Sequence, residues 1–158
     1  MRHTRRIDTR LITDVLERIA AAGWAAVRYN EPAHELHGQK LGCIVAVMTD
    51  PVTAKPTGGI GRTYVHDGRK VAKAKSLGPA GIVRLNRDDD LLEGFHLAEG
   101  LETSLAAMSI GLRPTWSTSS TSTMSTLPVL GGIECLTILA DHDPTARGER
   151  AAREIECR

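Results

Sequence analysis

The stretch Thr137-Ile-Leu-Ala-Asp141-His-Asp143 leads from four residues of strand-like character into two aspartates spaced two positions apart. Side chains at positions i and i+2 of a strand lie on the same face, so both carboxylates can approach one small cation at the end of that strand. Mg²⁺ takes few oxygen ligands from a protein and completes its coordination with water and substrate phosphates. The stretch therefore predicts a divalent-metal site at a strand end.

A second acidic site lies upstream, where a short apolar strand from Phe95 to Ala98 is followed by Glu99 and Gly100. A helical pattern from Leu101 to Ile110 begins directly after it. Both acidic sites thus stand where a strand passes into a helix, and open α/β sheets bind their ligands at such places. We expect the two sites to converge at one edge of the sheet.

Two short motifs, Ala98-Glu99-Gly100-Leu-Glu102 and Ala140-Asp141-His-Asp143, together resemble the motifs of a Toprim domain, the fold shared by topoisomerases and primases. The flanking segments 62–85, 96–108 and 116–143 are similar to the primase-like Toprim proteins of phages, plasmids and integrated elements. The resemblance spans roughly residues 40 to 158. It implies a Rossmann-type parallel sheet with flanking helices.

The resemblance also implies roles for the acids. Glu99 would act as general acid or base, or help to hold metal, and Asp141 and Asp143 would coordinate Mg²⁺ or Mn²⁺. Phosphoryl transfer requires a metal to neutralise developing charge and a group that moves a proton, so the chemistry of these residues agrees with the resemblance. The alternative is that the acids only cap strands and helices, which is less expected for two motifs in this order.

Residues beside the motifs have two interpretations each. Glu102, one helical turn after Glu99, either supports the metal ligands from outside their coordination shell or lies on exposed helix surface. Arg147 and Arg150 either reach a phosphate near the metal or pair with acids of their own helix.

The first ninety residues have a different pattern. Helical periodicity from Asp8 to Gly23 predicts an amphipathic N-terminal helix, and Trp24 to Gln39, which has no clear period, is predicted to be a loop. Leu41 to Met48 and Ile60 to Val65 are strand-like, and Arg69 to Lys75 follows a second tight turn. Such short connections predict an antiparallel β-meander.

The meander concentrates five basic residues: Arg62, Arg69, Lys70, Lys73 and Lys75. The only acidic residue among them in sequence is Asp67. One interpretation is a surface that contacts nucleic-acid phosphates, with nearby glycines allowing close backbone approach. The other is a solvated hairpin whose lysines protect a sheet edge. The sequence leaves both open.

Downstream of the meander, alternating patterns predict an α/β unit. The expected strands are 82–85, 95–98, 113–117 and 136–140, and the expected helices are 101–110 and 146–157. The strand 136–140 is fully apolar, which is typical of a buried parallel strand. The hydroxyls of the Ser/Thr-rich segment 117–126 can cap a helix or hold a phosphate. The resemblance implies a loop and short helix in this region, which favours capping. We divide the chain into a region of helix and meander, 1–90, and a Toprim-like core, 91–158.

Composition limits the remaining possibilities. The 158 residues carry a net charge of only +1, so any binding of nucleic acid must come from a local basic patch. The three cysteines form no CxxC pair, which argues against a zinc ribbon and favours reduced thiols in a cytoplasmic protein. No apolar run approaches the ~18 residues of a membrane helix, so no membrane contact is expected.

These observations favour a primase-like protein that acts on DNA or RNA by Mg²⁺-dependent phosphoryl or nucleotidyl transfer. Two alternatives stay open: a Mg²⁺-dependent nuclease, and a weakly catalytic module of a mobile-element replication system that binds nucleic acid or docks on a replication helicase. Related Toprim domains usually continue into another strand, whereas this sequence ends at Arg158. Unless the N-terminal part supplies a replacement strand, we therefore expect an open sheet edge. We also expect weak catalysis or none, and self-association or pairing with a partner.

Overall fold

The computed structural model describes residues 26–36, 39–66, 69–88, 91, 93–140 and 146–156. The N-terminal helix predicted over 8–23 lies outside these residues. Within them the chain forms, in order, β1 (Val27–Leu36), β2 (Gln39–Thr49), β3 (Pro56–His66), β4 (Arg69–Lys70), β5 (Lys75–Leu77), β6 (Val83–Arg84), β7 (Gly94–Ala98), α1 (Leu101–Ser109), β8 (Thr115–Ser117), α2 (Thr121–Ser125), β9 (Cys135–Leu139) and α3 (Arg147–Glu156).

The first sheet is the expected antiparallel meander, in the order β1-β2-β3-β4, with β5 also paired to β3. Alternate residues of β2 enter two apolar clusters, Leu41 and Cys43 on one face and Ile44, Ala46 and Met48 on the other. A period of two is what a strand with both faces covered requires.

The predicted loop over 24–39 is wrong for residues 27–36, because these form β1 and pair with β2. The sequence of these residues lacks the regular alternation of a strand, since the pairing register shifts between Asn30 and His34, on either side of Pro32. A strand that pairs along only one side tolerates proline and such an irregularity. The strand therefore depends on its partner β2 and has no clear period of its own.

The second sheet has the order β6-β8-β7-β9. β7 runs parallel to both of its neighbours, and Ala98 at its end lies opposite Ser117 of β8 and Leu139 of β9. β6 pairs with β8 in the antiparallel direction. The expectation of an α/β chain, with a sheet that contains parallel strands beside an antiparallel meander, is confirmed, whereas a Rossmann-type arrangement of the second sheet stays a prediction.

The last strand is less buried than its apolar sequence predicts. In β9, Cys135 and Thr137 are exposed and the other three residues are half-buried. The reason is its position, because β9 pairs with β7 alone in the described part of the chain and lies at the end of the sheet order. Leu136 and Ile138 still pack against the core with one face of the strand.

Helix α1 joins the two sheets through a common core. Its residues Leu101, Leu105 and Met108 belong to the same buried cluster as Ile44 and Val65 of the first sheet. On the opposite face of the second sheet a separate cluster contains Phe95, Leu97, Trp116, Met124 and Ala151. None of the helices in the described ranges is long and apolar enough to span a membrane.

Candidate functional site

Glu99 stands in the tight turn between β7 and α1. The backbone of this turn is fixed from two sides, since the Ser117 hydroxyl donates to the Glu99 carbonyl at 3.1 Å. The backbone N–H and the hydroxyl of Ser104 both donate to the Gly100 carbonyl at 3.0 Å. The position of this half-buried glutamate is therefore set by the sheet and the helix that flank it.

A cleft of about 240 Å³ lies between this turn and the meander. One side of it is lined by Glu99 and Glu102. The other side carries four of the five basic residues that the sequence singled out: Arg62, Lys70, Lys73 and Lys75. The fifth, Arg69, is in β4, and its side chain is outside the described part of the structure. The fold thus brings the basic meander and the first acidic motif together, although Lys75, the basic residue nearest in sequence, precedes Glu99 by 24 positions (99 − 75).

Glu102 connects the two sides of the cleft. Its Oε1 lies 2.7 Å from Nζ of Lys70 and accepts a hydrogen bond of 3.2 Å from the Thr63 hydroxyl. The Glu102 side chain is only 21% exposed, which differs from the exposed helix surface considered from sequence. Its support of a metal ligand stays a prediction.

The protein's own backbone explains four glycines in and beside the meander: Gly58, Gly59, Gly78 and Gly81. A Cβ on Gly59 would lie 1.9 Å from the Pro79 carbonyl oxygen, and a Cβ on Gly81 would lie 2.7 Å from that of Thr49. Gly58 and Gly78 have φ values of +83° and +79°, which side chains rarely adopt. These glycines therefore do not require a ligand to explain them, and the basic side chains carry the case for phosphate binding.

Ser119 is a cleft residue that the sequence interpretation missed. The expected capping role belongs to its neighbour Ser120, whose hydroxyl accepts from the Thr123 N–H at 3.1 Å and starts α2. Ser119 itself lines the cleft with a φ of +60°, and its N–H donates to the Ser117 hydroxyl at 3.3 Å. Its place just beyond β8, at the same sheet edge as Glu99, is the signal that would have found it.

Asp141 and Asp143 lie outside the described residues. The strand that precedes them, β9, is parallel to β7 and has Leu139 opposite Ala98, so the two strands end at the same edge of the sheet. Carboxylates are the ligands that suit Mg²⁺ and Mn²⁺. A metal held by Glu99, Asp141 and Asp143 stays a prediction with a fitting donor set.

Arg147 begins α3 and is exposed. It is not among the described residues that line the cleft. Its contact with a phosphate near the metal stays a prediction.

Solved structures provide the comparison. The chain is similar to the primase fragment of the bacteriophage T7 primase-helicase protein, with a TM-score of 0.58, 15% sequence identity and coverage of 87% of this chain and 54% of that one. A DNA primase domain from Pseudomonas aeruginosa matches with a TM-score of 0.47, 14% identity and coverage of 88% and 44%. The chain thus spans about half the length of these structures.

No protein-family model and no curated protein matches the sequence. The likeness to the T7 fragment extends over both sheets, since it covers most of the chain. At 15% identity it concerns the fold. The resemblance to primase-like Toprim proteins that the two motifs predicted is therefore confirmed at the level of fold, and this chain has a primase-like fold.

Proposed function

We propose that this chain acts on nucleic acid as a primase-like protein, and that the cleft between the meander and Glu99 receives the phosphates of DNA or RNA. The observation that carries the proposal is that Arg62, Lys70, Lys73 and Lys75 line the same cleft as Glu99. Among the described residues, the meander wall of the cleft presents four cations, whereas the chain as a whole has a net charge of only +1. A polyanion is the partner that such a local excess attracts.

The chemistry proposed for the cleft is Mg²⁺- or Mn²⁺-dependent phosphoryl or nucleotidyl transfer. Glu99, Asp141 and Asp143 would hold the metal, which supplies neutralisation of the charge that develops on the phosphate. Glu99 would alternatively move the proton of the attacking hydroxyl or water. The basic side chains opposite would orient the phosphate backbone, because oriented reactants remove much of the entropic part of the barrier. The shared end of β7 and β9 supports this assignment.

The test is a paired assay for primer synthesis and for DNA cleavage, with and without Mg²⁺, on the wild type and on Glu99→Gln. Glutamine keeps the size of the side chain and removes its charge. Template-dependent synthesis that requires Mg²⁺ and is lost in Glu99→Gln supports the primase-like proposal. Cleavage with the same dependence identifies a nuclease instead.

Binding of oligonucleotide without either activity in the wild type would leave a nucleic-acid-binding module. The T7 fragment, by its description, belongs to a primase-helicase protein. We therefore extend the proposal to a replication helicase as a partner of such a module. Co-purification of this chain with candidate helicases in the presence of nuclease tests that part separately.

A further inference from the structure

We propose, on the basis of the nucleic-acid function proposed above, that Glu102 is a positioning residue: it fixes the Lys70 ammonium on the wall of the cleft, where Lys70 meets phosphate. The inference rests on three residues that meet from three different elements, α1, β3 and β4. Glu102 comes from the first turn of α1, Thr63 from β3 and Lys70 from β4. All three residues line the cleft.

The carboxylate of Glu102 is the fixed partner of the pair. Thr63 is 2% exposed and lies in the part of β3 that pairs with Ile44 of β2, so its hydroxyl is firmly placed. That hydroxyl donates to Oε1 of Glu102 at 3.2 Å, and Lys70 Nζ lies 2.7 Å from the same oxygen. The glutamate is thus fixed by its helix and by the first sheet, and the lysine is placed by the glutamate.

Lys70 is partly exposed, with 36% of its side-chain surface accessible. It belongs to a strand of two residues that pairs with β3 only at Val65 and His66. Its flexible four-carbon stem samples many rotamers when its head is free. The ammonium group carries three donors, so the hydrogen bond to Glu102 leaves others for a phosphate oxygen.

Simple electrostatics makes the opposite prediction. If Glu102 were only a negative charge in the cleft, its removal would strengthen the binding of a polyanion. If Glu102 positions Lys70, its removal weakens that binding, and the loss depends on the presence of Lys70. The direction of the effect therefore separates the two accounts.

The experiment measures binding of a short fluorescein-labelled oligodeoxythymidine to the full chain by anisotropy, over a range of salt concentrations. All titrations contain EDTA, so a loss cannot arise from a metal at Glu102. The variants are Glu102→Gln, Lys70→Ala and the double variant, with Glu154→Gln on the exposed surface of α3 as the matched loss of one negative charge. Circular dichroism and thermal unfolding verify that each variant is folded.

We expect Glu102→Gln to weaken binding on the order of 5-fold, equivalent to about 1 kcal/mol. Lys70→Ala should make the slope of log affinity against log salt shallower by about 0.7, as one lost phosphate contact does for a single strand. In the Lys70→Ala background Glu102→Gln should no longer weaken binding. Glu154→Gln should match the wild type.

Unchanged or tighter binding by Glu102→Gln overturns the positioning role while the wild type still binds. An equal loss from Glu102→Gln with and without Lys70 overturns it as well, because the glutamate would then act independently. No binding by the wild type overturns the proposed function of the cleft, and the positioning role with it. These outcomes therefore distinguish failure of the positioning role of Glu102 alone from failure of the proposed function.

Discussion

The salt dependence of oligonucleotide binding gives the sharpest check on the cleft. Among the described residues, its wall presents four cations, Arg62, Lys70, Lys73 and Lys75. If each meets one phosphate of a single strand, the slope of log affinity against log salt is about −2.8, at about −0.7 per contact. Affinity should then fall about 50-fold between about 50 and 200 mM salt.

Lys73→Ala should remove one of these contacts. The slope then falls to about −2.1, and the same rise in salt weakens binding only about 20-fold. Lys55→Ala is the matched control, because Lys55 is also an exposed lysine of the first sheet region but does not line the cleft. It should reproduce the slope of the wild type within error.

Fluorescence anisotropy at several salt concentrations measures both slopes. A wild-type slope near zero would refute a phosphate-binding cleft, since four released counterions must show in the salt dependence. Equal slopes for Lys73→Ala and Lys55→Ala would refute the placement of the contact at the cleft, and would leave the meander as a solvated hairpin.

Three further predictions concern stability and reactivity. Arg84→Met should lower the free energy of unfolding, measured in urea, by about 2 kcal/mol. The reason is that the buried guanidinium donates to the carbonyls of Asp50 and Pro51 and lies 4.3 Å from the Trp116 ring centroid. A loss under about 0.5 kcal/mol would contradict this. Ser119→Gly should leave stability unchanged or higher, whereas Ser119→Val should lower it by about 2 kcal/mol, since β-branched residues are strained at a φ of +60°; equal thermal unfolding of the two would argue against that backbone conformation. Burial raises the pKa of the Cys43 thiol, so exposed Cys135 should react with a thiol reagent well before Cys43, as mass spectrometry of labelled peptides would measure. The free energy of unfolding should also fall as pH rises above the ordinary thiol range, because the folded chain retains that proton to higher pH than the unfolded chain. Urea titrations at alkaline pH measure this second effect.

Local signals predicted the elements that depend on local chemistry. The strand before Glu99 and the helix after it both follow from the pattern of residues within each segment. The failures have non-local causes. β1 exists because β2 pairs with it, and the exposure of β9 follows from its place in the sheet order, and neither fact is present in the segment's own composition.

Prediction of the candidate site from sequence was limited by non-local contacts as well. The acidic turn and the basic meander could each be identified from sequence, but nothing in either segment indicates that they form one cleft. Their proximity depends on the shared core, in which Ile44 and Val65 of the meander pack with Leu101 and Leu105 of α1. Packing between distant segments is decided by the whole set of buried side chains, which no single stretch encodes.

The shared core also fixes the relative positions of the elements that form the walls of the cleft. α1 contributes Leu105 to the core and Glu102 to the cleft, and β3 contributes Val65 to the core and Arg62 to the cleft. A close-packed core transmits a shift of one element to its neighbours, since it has little free volume to absorb it. The spacing between the backbone of the basic strand β3 and that of α1 beside Glu99 is therefore set by the core. A metal-dependent reaction on a phosphate depends on such a fixed spacing, because misplacement by about 1 Å can cost on the order of 100-fold in rate.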